Sequence, residues 1–205
     1  MVKQKSTRQG ALKTALKVLL VDDSPERTDI LRSALELAGY AVTATLESPL
    51  ELLRAVDAHL PDIIIIDTES PSRDVLEHVV MVTRDQPRPI VMFSSDGGTD
   101  SIREAVRAGV SAYIVDGLAA GRVKGIVDVA VARFEEYQKL VAELAEANLK
   151  LSERKVVERA KGILMKSRDM TENQAYEAMR SMAMNRKKKL AEVARMVIDM
   201  ADIMG

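Results

Sequence analysis

Four aspartates and a serine stand where short apolar runs give way to polar sequence. Asp22 and Asp23 follow KVLLV (Lys17–Val21), Asp67 follows DIIII (Asp62–Ile66), Ser94 follows PIVMF (Pro89–Phe93) and Asp116 follows Ser111–Val115. If these runs are strands of one parallel sheet, their carboxyl ends share an edge, which is where open α/β sheets hold ligands. Converging carboxylates repel one another unless they share a hard cation such as Mg2+. A carboxylate beside such an ion can accept a phosphoryl group, and a nearby hydroxyl can report its arrival. Each acid alone is explained equally well as a cap on the next helix. Asp22, Asp23 and Asp67 together carry the metal reading, with Mg2+ as the cofactor.

A second set of charges is basic and lies near the C-terminus. Lys155, Arg159, Lys161 and Lys166 recur at helical spacing, followed by Arg180 and the run Arg186-Lys187-Lys188-Lys189. Residues 152–205 carry 12 positive and 8 negative side chains, whereas residues 18–117 carry 8 positive and 18 negative. That asymmetry predicts two modules with different partners, although the whole chain sums to −1. Cations clustered on helices suit phosphate contacts, which give affinity without reading sequence. Tyr176 is the one aromatic in this region, so a base-stacking platform is not expected.

The elements that must position these groups are legible. Of the 205 residues 47% are hydrophobic and 30% charged, a globular balance. Apolar runs near 17–21, 40–45, 62–66, 89–93 and 111–115 alternate with segments of helical spacing such as Ile30, Leu31, Ala34 and Leu35, which Gly39 stops. This predicts a doubly wound α/β domain over residues 17–117 with a five-stranded parallel sheet, preceded by a basic tail at 1–16. From about Leu118 a long helix without proline follows, with residues 118–151 as a linking and dimerisation segment. One heptad frame puts Val123, Val127, Ala130, Phe134, Tyr137, Val141, Leu144, Asn148 and Leu151 at a and d. The stretch from Phe134 to Leu151 is expected to be the seam of a homodimer, with Asn148 fixing register. Residues 152–205 are expected to form a small three-helix bundle. There Thr171 and Gln174 are spaced as a capping box, and eight of the 11 methionines gather. Absent cysteine excludes thiolate metal sites and a cysteine nucleophile. No apolar run approaches the ~20 residues that span a bilayer, and a cytoplasmic, non-membrane protein is expected.

LLVDDS (Leu19–Ser24), IIIIDTESP (Ile63–Pro71), IVMFSS (Ile90–Ser95) and AYIVD (Ala112–Asp116) resemble the receiver domain of bacterial response regulators over about residues 17–133. ERAKGILM (Glu158–Met165), AYEAMRSMAM (Ala175–Met184) and KLAEVARMVID (Lys189–Asp199) resemble the ANTAR domain, an RNA-binding antitermination module of the AmiR and NasR type. In this order, behind a receiver and a long helix, they make the chain similar to the ANTAR-domain response regulators, and most like their nitrate-assimilation (NasT-like) branch.

The resemblance implies Asp67 as the phosphoacceptor position, Asp22 and Asp23 as the metal pair with the main chain of Glu69, and Ser94 and Tyr113 as switch positions. The position where that family carries a lysine is Asp116 here. No lysine lies between Lys17 and Lys124, which leaves arginines such as Arg73 or Arg88 as candidates to replace it. Control by phosphorylation of Asp67 is therefore expected to be minor. A NasS-like inhibitory, ligand-sensing protein is the expected regulator in preference to a histidine kinase. The implied function is regulatory rather than enzymatic: binding of leader RNA hairpins through Lys161, Lys166, Arg180, Arg186, Lys187 and Lys188, which prevents terminator formation in nitrate or nitrite assimilation genes. A phosphorylation-driven, DNA-binding response regulator is the alternative.

Overall fold

The computed structural model describes residues 15–22, 24–116 and 120–204. Asp23 and the basic residues 1–14 lie outside them. The chain divides into two compact units, residues 1–137 and 138–205.

In the first unit, strands β1 (Lys17–Asp22), β2 (Ala41–Leu46), β3 (Ile63–Thr68), β4 (Ile90–Ser94) and β5 (Ala112–Val115) form a parallel sheet in the order β2-β1-β3-β4-β5. Between them run α1 (Pro25–Leu37), α2 (Leu52–His59), α3 (Arg73–Asp85) and α4 (Thr99–Ala108). The two-residue period of the strands sorts the core into two halves. Leu19, Val21, Ile64, Ile66, Ile90 and Met92 pack under α2, α3 and α4, using Leu52, Val56, Val79, Val82 and Ala105. Val18, Leu20, Ile63, Ile65, Val91 and Phe93 face the other way, against Leu31 and Leu35 of α1. Four consecutive isoleucines in β3 are buried because both faces of this central strand are covered. Gly109 ends α4 at φ 106°, and a Cβ there would lie 2.6 Å from the Thr83 side chain, so the turn into β5 requires glycine.

Helix α5 (Val123–Arg168) runs unbroken for 46 residues. Its first turns correct part of the heptad assignment. Val123, Val127 and Ala130 are fully buried in the α1 side of the sheet core rather than on a seam. They satisfy the same apolar spacing because a helix laid on a sheet needs one apolar stripe too. Beyond them the stripe emerges: Phe134 is half-buried, whereas Tyr137, Val141, Leu144, Asn148 and Leu151 are exposed.

In the second unit the end of α5 packs with α6 (Glu172–Arg186) and α7 (Leu190–Met204). Ala160, Met179, Ala183, Val193, Ala194 and Ile198 form its core, joined by Val156, Val157, Ile163 and Leu164. Thr171 accepts from the Gln174 N–H while the Gln174 side chain accepts from the Thr171 N–H, the reciprocal cap expected from the sequence. Among the described residues no helix is long and apolar enough to cross a membrane.

Candidate functional site

The strand order reverses between β1 and β3, and the crevice beyond their carboxyl ends is where such sheets bind ligands. Asp22 and Asp67 are register partners at those two ends, 2% and 9% exposed. The Ser24 N–H donates to Asp22 Oδ1 at 2.8 Å. Buried anions need a counter-charge, and among the described residues Arg27, in the first turn of α1, supplies one. Its guanidinium lies 3.5 Å from Asp22 Oδ1 and 3.4 Å from Asp67 Oδ2. Neither arginine proposed from the sequence reaches the pocket. Arg73 pairs with Glu77 at 2.8 Å, and Arg88 donates to Pro61 O and to Gln86. Arg27 carried no sequence signal beyond being a cation five residues after Asp22.

The switch positions are joined to a group that sequence reasoning missed. The Ser94 hydroxyl donates to Glu69 O at 2.9 Å and accepts from the Asp96 N–H at 3.1 Å. Asp96 N–H also donates to Glu69 O at 3.1 Å. Ser70 and Ser101 hydroxyls donate to Asp96 Oδ2 at 3.0 and 2.7 Å, and Gly98 N–H donates to its Oδ1 at 2.8 Å. Tyr113 Oη donates to Asp96 O at 2.7 Å. These donors, the Ser101 hydroxyl foremost, hold the Asp96 carboxyl below the usual carboxylate range. Asp96 thus stitches the loop after β3 to the loop after β4. The only hint in sequence was its place before Gly97-Gly98, a turn signal. The Glu69 carbonyl, expected as a metal ligand, is here the acceptor of two hydrogen bonds from this stitch. Asp116 follows β5 at φ 44°, exposed, with its N–H donating to Ser94 O at 3.1 Å.

A receiver domain typically binds Mg2+ at its acidic site, and the residues present fit a small divalent cation. Asp22 Oδ2 is buried without a hydrogen-bond partner, an orphan lone pair that a hard cation would satisfy. Asp22 and Asp67 would hold the ion, which when bound would offset the charge of an incoming phosphoryl group. Among the described residues, which exclude Asp23, no group of three or more His, Cys, Asp or Glu is placed to hold a metal.

The second unit displays its cations unevenly. Lys161, expected to contact RNA, is 7% exposed. Its ammonium lies 2.8 Å from Glu158 and 2.7 Å from Glu172, tying α5 to the first turn of α6. Glu158 and then Glu172 raise its pKa, while Lys161 holds the Glu172 carboxyl low. A cation so enclosed is a fastener between helices rather than a phosphate contact. Sequence periodicity placed Lys161 with Lys155, Arg159 and Lys166 but could not say which face of α5 would be covered. Lys166, Arg180, Arg186, Lys187 and Lys188 are exposed. Arg180 pairs with Glu177 at 3.3 Å. Lys187 closes α6 in the left-handed conformation at φ 51°, an uncommon role for a side chain other than glycine or asparagine. It turns the chain sharply, so Arg186 to Lys189 cluster between two helices.

Comparison with known proteins gives two family matches: the response regulator receiver domain over residues 18–128 and the ANTAR domain over residues 145–198. The transcriptional regulatory protein PdtaR of Mycobacterium tuberculosis (strain ATCC 25618 / H37Rv) is 30% identical over 183 residues, 89% of each chain. The nitrate regulatory protein of Klebsiella oxytoca is 35% identical over 83 residues, 40% of this chain and 21% of that protein. Among solved structures, the receiver domain of the putative response regulator NarL from Mycobacterium tuberculosis superposes with a TM-score of 0.51 at 22% identity, covering 57% of this chain and 96% of that one. The receiver domain of a modulated diguanylate cyclase from Desulfovibrio desulfuricans G20 gives a TM-score of 0.53 at 22% identity, over 60% and 98%. These structural likenesses establish the fold of the first unit.

Proposed function

Because the chain belongs to the response regulators with an ANTAR output domain, a family of RNA-binding antiterminators, we propose that its second unit binds hairpin loops in leader RNA and prevents a terminator from forming. The observation that carries this reading is the exposed cationic turn Arg186–Lys189, with Lys166 and Arg180 also exposed, on a module matched by the ANTAR family. Such a patch supplies phosphate contacts, and looped-out bases supply the specificity that a closed A-form major groove cannot. The likeness to a nitrate regulatory protein supports nitrate or nitrite assimilation genes as the targets.

The exposed stripe on α5 supports a homodimer as the binding species. Control by a ligand-sensing inhibitor protein accords with an acidic pocket that has Arg27, rather than a lysine after β5, as its cation. A gel-shift series with a leader hairpin, a scrambled RNA and a matched DNA duplex tests the reading. The hairpin should be retarded at protein concentrations that leave the other two free. Preferential retardation of the duplex would replace this proposal with a DNA-binding regulator.

A further inference from the structure

Asp22 and Asp67 sit at adjacent strand ends, and among the described residues a single guanidinium answers both buried carboxylates. Arg27 does so incompletely. Its contacts of 3.4 and 3.5 Å are ion-pair distances, longer than the 2.7–3.2 Å of a good N–H···O bond. Asp22 Oδ1 takes the Ser24 N–H, and Asp22 Oδ2, buried, is left without a donor. Among the described residues one guanidinium thus bridges the two carboxylates, with the buried Asp22 Oδ2 still to be satisfied. The pocket has the composition of a divalent-cation site with an organic cation parked at its mouth.

We propose that Arg27 is a resident counter-ion which a divalent cation must displace in order to bind between Asp22 and Asp67. A metal ion offers two charges where the guanidinium offers one, and it satisfies the orphan oxygen. It cannot coordinate both carboxylates while a second cation bridges the same pair, because the two positive charges would then stand a few ångströms apart in a buried pocket. Arg27 is one-third exposed at its side chain, so it can leave toward solvent without unfolding α1. Metal entry and arginine exit thus form one exchange, and the apparent metal affinity is divided by the factor by which the open pocket is under-populated. An arginine seated for 90–99% of the time weakens binding by about 10- to 100-fold. The metal-bound and metal-free states then differ in where the first turn of α1 presents a cation. That difference lies in the acidic unit and holds whether or not the second unit binds RNA.

The test uses the full chain with Mn2+ and Mg2+ as probes. Free Mn2+ followed by electron paramagnetic resonance should show R27A and R27Q binding at least tenfold more tightly than wild type, with circular dichroism verifying the fold. Asp22→Asn added to R27A should abolish the gain. Equal affinities in wild type and both variants, or no Mn2+ uptake by any of them, would overturn the proposal. A second measurement needs no stable variant. The Arg27 Nε–H resonance of 15N-labelled wild type, identified by its absence from the R27Q spectrum or by selective labelling, should move with added Mg2+ along the calorimetric binding curve. A resonance that stays fixed while the pocket saturates would equally refute the exchange.

Discussion

Replacing Leu144 with aspartate tests the exposed stripe of α5 most directly. Tyr137, Val141, Leu144 and Leu151 are 62%, 43%, 63% and 54% exposed. Each shares the heptad frame with half-buried Phe134 and with Asn148. Fully burying a large apolar side chain is worth about 1.5–3 kcal/mol. Covering the remaining half of each therefore yields about 1–1.5 kcal/mol, and roughly 10 kcal/mol for the eight side chains of two helices. Association costs about 4–15 kcal/mol in lost rigid-body freedom. The seam is thus close to balance, and a dimer built on it depends on every side chain along it. Leu144→Asp removes about 2–3 kcal/mol from the pair and adds two carboxylates facing each other in a desolvating seam. A loss of at least about 3 kcal/mol weakens dimerisation by more than about 100-fold. Sedimentation equilibrium over a concentration series reaching about 1 mM, where a net gain of about 4 kcal/mol suffices, should find the wild-type chain dimerising and the variant monomeric with unchanged helicity. An unaltered dissociation constant in the variant would show that the stripe has another purpose, and the heptad frame from Phe134 to Leu151 would have to be abandoned.

Three further outcomes follow from the geometry. Lys161→Ala should lower the melting temperature of the second unit yet leave the salt slope of RNA binding unchanged, whereas Lys166→Ala with Arg180→Ala should keep the melting temperature and lower the slope by about 0.7–0.9 for each phosphate no longer neutralised. Lys187→Gly relieves a left-handed side-chain residue and should stabilise the chain by about 0.5–1 kcal/mol in urea unfolding, while weakening hairpin retardation. The Asp96 stitch contributes stability that is complete above the ordinary aspartate pKa of about 3.9 and is lost as pH falls through the depressed folded value. Asp96→Asn should therefore flatten the acid limb of the wild-type stability profile, and coincident acid limbs would contradict the assigned hydrogen bonds.

The fold was readable because it is written in periodicities that physics enforces residue by residue. Strands β1, β3 and β4 announce themselves as unbroken apolar runs, since burial on both faces leaves no position for a polar side chain. Thr171 and Gln174 marked the start of α6, since a capping box is a local exchange of hydrogen bonds needing no tertiary partner. The heptad stripe misled where it was ambiguous in principle. Val123, Val127 and Ala130 have a spacing that serves a sheet-packing helix and a coiled-coil seam alike, and only their burial in the core on the α1 side of the sheet decides.

The site was half legible for a related reason. Acids at strand ends can be located from strand boundaries alone, so Asp22 and Asp67 were found. A counter-charge can come from any element that borders the pocket, and the sequence gives no distance from α1 to β3. Attention to the missing lysine after β5 pointed to Arg73 and Arg88, which lie elsewhere, while the charge came from the first turn of the helix that follows Asp22 itself. That route is short in the chain: Ser24 N–H turns back to Asp22 Oδ1, Pro25 starts α1, and Arg27 is carried over the pocket by the first helical turn. A cation delivered by a helix start is tethered by a flexible side chain to a rigid element, so it can withdraw without disturbing the sheet. A lysine reaching in from the end of β5 would stand beside a metal ion, whereas Arg27 stands between the two carboxylates the ion would use. The same guanidinium that partly offsets the pocket's charge at rest therefore makes its occupancy by a divalent cation a competition.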